Sequence, residues 1–224
     1  LLIYLPRYIY PEEVKNSVKR GPITERDLEV LADSPTVRVR CIEVIPDQNL
    51  TGKGEETLRT SRGVVEPDVS KDTLAIACVE RYNRSNSIGK AFVKGFGLRE
   101  GAFAESVGHD THNIMVVGTN IRDMTLAVNA VIEMGGGIAI SNRGRVLSEM
   151  RLPVGGLITD ELDGHEVSKK IAELERIIRE DLGCKIHAPL MHLSFLALST
   201  SPEWKITDKG LIDVNNFKIL PPII

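Results

Sequence analysis

The densest run of chemistry-bearing side chains is His109-Asp110-Thr111-His112-Asn113, which sets two imidazoles, a carboxylate and an amide between Gly108 and the apolar run Ile114-Met115-Val116-Val117. Neutral imidazole and carboxylate are the usual ligands of a divalent metal, and imidazole is also the general base best matched to neutral pH. The same residues suit a plain turn, in which Asp110 and Asn113 satisfy backbone donors and the histidines are hydrogen-bonded core. Packing alone accounts poorly for so polar a stretch between two apolar ones. His109, Asp110, His112 and Asn113 are therefore the candidate catalytic group, with His109 and His112 as the candidate metal ligands.

Other motifs give less. His165-Glu166 is followed by Val167, Ser168 and Lys169, so it is not the HExxH zinc helix, and nothing matches the HxE with PCxxC pattern of the zinc deaminases of the cytidine type. Gly95-Phe96-Gly97 and Gly135-Gly136-Gly137 lack the spacing of a phosphate cradle and read as tight turns. Lys94, Phe96 and Ser106 are lesser candidates for contact with a substrate. His187 and His192, on either side of Pro189, read as structural.

A chain of 224 residues, at about 150 per domain, is one large domain or a domain and a fragment. Lys and Arg number 28 against 31 Asp and Glu, a net charge of -3, which supplies no global positive field for nucleic acid or an anionic membrane. The apolar runs are far short of the roughly 20 residues needed to span a bilayer. Cys41, Cys78 and Cys184 are odd in number and have no CxxC pair, which fits a reducing cytoplasm better than a disulfide framework. The chain opens on Leu1-Leu2-Ile3-Tyr4-Leu5, a strand-like run without the charged lead of a signal peptide, and so reads as the C-terminal part of something longer.

The elements that must position the cluster follow from periodicity. Alternation and apolar runs predict strands over 36–45, 73–80, 89–95, 113–118, 138–141 and 191–198, the fourth of them central. Residues 47–72 read as a mobile loop, with an edge strand near Gly63-Val64-Val65. Two stretches are helical by period. One, over 120–134, carries Ile121, Met124, Val128, Val131 and Ile132, with Asn120 and Asp123 as its cap and Gly135 as its stop. The other, over 163–182, carries Val167, Ile171, Leu174, Ile178 and Leu182, boxed by Asp163 and Glu166 and ended by Gly183. Asn142-Arg143-Gly144 reads as the three-residue loop of a hairpin. Many strands with two principal helices and no strict alternation give an α+β domain, with mainly antiparallel or mixed sheets. A (β/α)8 barrel needs about 250 residues and eight helices, so none is present.

Taken in order, Phe92-Val93-Lys94-Gly95-Phe96-Gly97-Leu98, Ser106-Val107-Gly108-His109-Asp110-Thr111-His112-Asn113-Ile114 and Val116-Val117-Gly118-Thr119-Asn120 resemble the C-terminal domain of bacterial and archaeal adenine deaminases. The resemblance runs on through Ile132-Glu133-Met134-Gly135-Gly136-Gly137, Leu152-Pro153-Val154-Gly155-Gly156-Leu157, Leu193-Ser194-Phe195-Leu196-Ala197-Leu198 and Thr207-Asp208-Lys209-Gly210-Leu211. It reaches back to Tyr10-Pro11-Glu12 and Val14-Lys15-Asn16-Ser17-Val18, which look like the family's connector. Thr111, where the family often has Ser, and Gly108, where it often has Ala, are mild departures.

The resemblance implies that residues 1–35 are a connector and 36–224 the domain proper. It implies a parent amidohydrolase of purine salvage that converts adenine and water to hypoxanthine and ammonia, with a divalent metal, manganese or else iron or zinc. It implies that the metal-binding barrel precedes this chain, that the barrel and adenine are its partners, and that like subunits assemble. Two other readings stand beside it: a purely structural or oligomerisation domain, and an independent purine- or metal-binding module.

Overall fold

The computed structural model describes residues 8–15 and 17–224; the run at residues 1–5 lies outside them. Two short helices, α1 (Glu12–Lys15) and α2 (Glu25–Leu28), lead into β1 (Thr36–Val44), β2 (Thr51–Ser61), β3 (Val64–Val65), β4 (Thr73–Val79), β5 (Ile88–Lys94), β6 (Ala102–Glu105) and β7 (Ile114–Gly118). Helix α3 (Ile121–Glu133) follows, then β8 (Gly137–Asn142), β9 (Arg145–Arg151), α4 (Gly164–Glu180), α5 (Pro189–Phe195), β10 (Trp204–Thr207), β11 (Gly210–Asp213) and β12 (Lys218–Leu220). Nine strands form one sheet in the order β3-β2-β1-β5-β4-β7-β6-β8-β9, and β10-β11-β12 form a second. Every neighbouring pair is antiparallel except β1 with β5. The class is α+β with no closed barrel, as the periodicity indicates.

Alternation along each strand sorts side chains to two faces. Leu74, Ile76 and Cys78 of β4 join Phe103, Met115 and Val117 in a core closed by α4, α5 and the small sheet. Ala75, Ala77 and Val79 face the other way, onto Met124, Ala127, Val128 and Val131 of α3. Both long helices form as their patterns dictate. The Asn120 side chain accepts the Asp123 N–H at α3, and Asp163 and Glu166 close a reciprocal capping box on α4. β7 is hydrogen-bonded to β4 on one side and β6 on the other, so the run after the cluster is an interior strand.

Three expectations fail. The predicted strand over 191–198 is helix α5 with the turn after it. Pro189 occupies its first turn, and Leu190, Leu193, Leu196 and Ala197 are buried at helical spacing; an apolar run this continuous carries no period of its own. The loop over 47–72 contains the eleven residues of β2, paired with β1 from Thr51 to Arg59. Gly52 and Gly54 of β2 lie under the Glu43 side chain of β1, where a Cβ on Gly54 would meet the carboxylate at 2.5 Å, so the partner's side chain covers a strand that has little apolar content itself. The edge strand near residue 64 is present as β3. The hairpin loop has two residues, Arg143 and Gly144, at φ of 52° and 77°, and Asp123 accepts both their N–H groups.

Candidate functional site at one end of the sheet

Residues 106–113 join β6 to β7 at the end of the sheet where β4 finishes, and the cluster sits there on a loop anchored from three sides. The His109 N–H donates to the Ser194 carbonyl at 3.1 Å. Its ring Nδ1 lies 2.7 Å from Ser194 Oγ, and its ring packs 5.1 Å from that of Phe195, so α5 holds this imidazole. Ser194 Oγ donates its single hydrogen to the Val107 carbonyl. The hydroxyl can therefore only accept from His109, which places that ring's hydrogen on Nδ1 and leaves the lone pair of Nε2 for a proton, a ligand or a metal.

His112 is different. It takes a left-handed backbone at φ 53°, its N–H donates to the Gly108 carbonyl, and its Nδ1 is buried without a hydrogen-bond partner. Burial, then the nearby Arg81 guanidinium, hold its pKa below the ordinary histidine value. Asp110 and Thr111 are exposed at the tip. Asn113 is buried: its side-chain oxygen accepts the Arg81 N–H at 3.4 Å and its amide reaches Asp208 at 3.5 Å. Asp208 is also held by the Ser87 hydroxyl and Lys209.

Two buried charged residues beside the cluster gave no motif in the sequence. Arg81, 2% exposed, donates from Nη2 to the Gly155 carbonyl at 2.7 Å and to the Tyr82 hydroxyl, which in turn donates to the Thr111 carbonyl. Glu105, also 2% exposed, ends β6, and burial pushes its carboxyl well above the usual range despite a backbone N–H from Ser194. A charge inside or just past an apolar strand is the signal that could have found both.

The remaining candidates do not join the cluster. Ser106 is buried, donating to the Gly156 carbonyl at 2.6 Å and accepting the Gly137 N–H at 2.8 Å, so its hydroxyl stitches two loops together. Lys94 pairs with Thr73 at the start of β4 while Ile114 pairs with Val79 at its end; six strand steps put Lys94 about 20 Å from the cluster. Its ammonium binds Glu56 at 3.0 Å. Phe96 is fully buried edge-to-face on Phe103. His192 is structural, with Nδ1 on the Ala188 carbonyl and Nε2 accepting the Asp47 N–H.

For a metal the donor set is short. The His109 and His112 rings are 5.9 Å apart, and among the described residues no three His, Cys, Asp or Glu side chains converge. A stable site needs three or four such ligands, so the described residues do not fit a metal centre.

A family profile described as the adenine deaminase C-terminal domain matches residues 48–218. The chain belongs to that family. Among curated relatives, "Adenine deaminase 1" of Carboxydothermus hydrogenoformans is 63% identical over 223 residues, all of this chain but 37% of that protein. "Adenine deaminase" of Methanococcoides burtonii is 40% identical across 98% of this chain and 38% of its own length, and that of Kosmotoga olearia 43% across 97% and 37%. The chain therefore spans little more than a third of the length of the curated relatives it matches. Among its described residues no helix is long and apolar enough to cross a membrane.

Proposed function

We propose that this domain serves a cytoplasmic, metal-dependent adenine deaminase of purine salvage, which hydrolyses adenine to hypoxanthine and ammonia, and that the His109–Asn113 end of the sheet faces the catalytic region preceding it. Support comes from the relatives' names and from the observation that carries the reading: a half-buried His109 held by Ser194 through Nδ1, so that Nε2 keeps its lone pair, beside exposed Asp110. The divalent metal, manganese or else iron or zinc, would be held by the preceding region, since the described residues do not fit one. Hydrolysis at C6 of a purine needs a site sheltered from bulk water and a group to take or give a proton as ammonia leaves. Here the loop supplies an imidazole of fixed tautomer and a carboxylate, on a rigid sheet end that closes over the site. Like subunits assembling around this domain would be a further part of the same reading.

The test has two arms. The purified chain should release no ammonia from adenine with added manganese, iron or zinc; metal-stimulated turnover would overturn the placement of the chemistry upstream. In the longer protein, His109→Ala and Asp110→Asn should each lower kcat/KM more than tenfold, about 1.4 kcal/mol of transition-state stabilisation. Poor folding with normal specific activity in the soluble fraction would favour the purely structural reading instead.

A further inference from the structure

Among the described residues seven buried side-chain nitrogen or oxygen atoms have no hydrogen-bond partner, and three of them belong to Arg81 and His112. These two residues meet in one place. The Tyr82 hydroxyl that accepts from the Arg81 guanidinium donates to the carbonyl of Thr111, the residue before His112. All three atoms, two guanidinium nitrogens and an imidazole nitrogen, can donate a hydrogen bond, so what the place lacks is an acceptor.

It also lacks negative charge. No carboxylate pairs with Arg81 among the described residues, and the carboxylates nearby are engaged or outside. Glu80 accepts the N–H groups of Tyr82, Arg84 and Asn86; Asp208 is taken by Ser87 and Lys209; Asp110 is exposed at the loop tip; Glu105 follows Phe103 on the face of β6 that packs against α5, where it takes the Ser194 N–H. A guanidinium removed from water without an acid is costly, whereas one that meets an oxyanion forms some of the strongest hydrogen bonds proteins make. The guanidinium is moreover built into position. The Gly155 carbonyl and Tyr82 hydroxyl hold Nη2, the Tyr82 ring lies 4.9 Å from Cζ, and Gly156 leaves the room, since a Cβ there would come within 1.8 Å of Nη1.

We propose that Arg81, with His112, forms a binding site for an oxyanion, a carboxylate or phosphate group, beside the His109–Asn113 loop. The group comes from a free anion or from a carboxylate side chain of the preceding region; only the second source rests on the proposed function.

Thermal melts of the chain in sodium acetate, sodium phosphate and sodium chloride at equal ionic strength test the site without any assay of turnover. Acetate and phosphate should raise Tm saturably over chloride, by about 3–6 °C at tenfold excess over Kd. The rise should vanish in Arg81→Met and shrink in His112→Asn, which suits the φ of 53° there and keeps the test open if the first variant folds poorly. Equal Tm in all three salts, or a rise that survives both substitutions as a general salting effect, would overturn the site. The same melts on the longer protein separate the sources: a lost response assigns the site to a carboxylate of the preceding region, and a retained one to a free anion. Because the readout is anion binding, its failure leaves the deaminase reading standing, and an inactive enzyme leaves the site standing.

Discussion

The two ends of the nine-stranded sheet carry similar residue types and treat them in opposite ways. At the Lys94 end charged groups find partners near the surface: Lys94 and Lys71 both bind Glu56, and Asp72 accepts the N–H groups of Gly95 and Gly97. At the His109 end Arg81, Glu105 and His112 each keep a buried polar atom with no partner. A paired surface network needs nothing further to be stable, while unpaired buried groups persist only where another requirement holds them. Position in the fold, more than residue type, separates scaffold from site.

Glycine substitutions give the largest expected contrast. Gly156→Ala places a methyl 1.8 Å from the pinned Arg81 Nη1 at φ 71°, and should cost about 2–3 kcal/mol in denaturant unfolding, from clash and backbone strain together. Gly97→Ala, at φ 69°, meets the Cγ of Lys185 at 2.8 Å; a shift of a few tenths of an ångström relieves that contact, so about 1–2 kcal/mol is expected, mostly backbone strain. Equal costs would mean that Arg81 is not held rigidly, and the contrast between the ends would weaken.

Much of this was legible beforehand, for physical reasons. Helices α3 and α4 carry their own period, caps and stops, so local sequence determines them. Strand β2 does not: its cover comes from Glu43 of its neighbour, and a pattern that lives on the partner is invisible along the chain. Helix α5 was misread because an apolar run buried nearly all round has no face. The histidine cluster could be seen because its members are adjacent, but the groups that orient it, Ser194 and Asp208, lie 85 and 95 residues away from their partners. Arg81 was missed because a charge just after a strand ordinarily points to water. Its burial is made by Lys19, Arg20 and the turn at Gly155, contacts that only the fold creates.

A smaller effect, of opposite sign at the two ends, comes from Glu105 and Glu56. Burial raises the Glu105 pKa in the folded chain, so the folded state holds its proton more tightly. The contribution is most favourable below the ordinary carboxylate value of 4.5 and is lost as pH climbs towards the raised one. Glu105→Gln should remove that slope and leave the protein about 1–2 kcal/mol more stable than wild type at alkaline pH. Glu56 behaves inversely: hydrogen bonds from Lys94, the Thr57 N–H and Lys71 pull its carboxyl down to about 2. Its contribution is present above 4.5 and disappears as pH falls towards 2. Glu56→Gln should therefore destabilise at neutral pH, by about 1 kcal/mol after solvent screening, and converge on wild type in acid. Urea unfolding across pH 3–9 checks both, and slopes of the same sign would break the distinction.

The smallest effect concerns Lys94 itself, which spacing made a candidate for substrate contact. Its ammonium is about a quarter exposed, and Glu56 keeps Lys71 if it is removed. Lys94→Met should cost less than about 1 kcal/mol at low ionic strength, and the difference should fade in concentrated salt as the Debye length shrinks. In the longer protein it should leave kcat/KM within about twofold of wild type, because the side chain sits a whole strand length from His109. A drop of tenfold or more with unchanged stability would place chemistry at the paired end of the sheet. The comparison would then fail at its premise, since the paired surface network around Glu56 would have proved to be the working one.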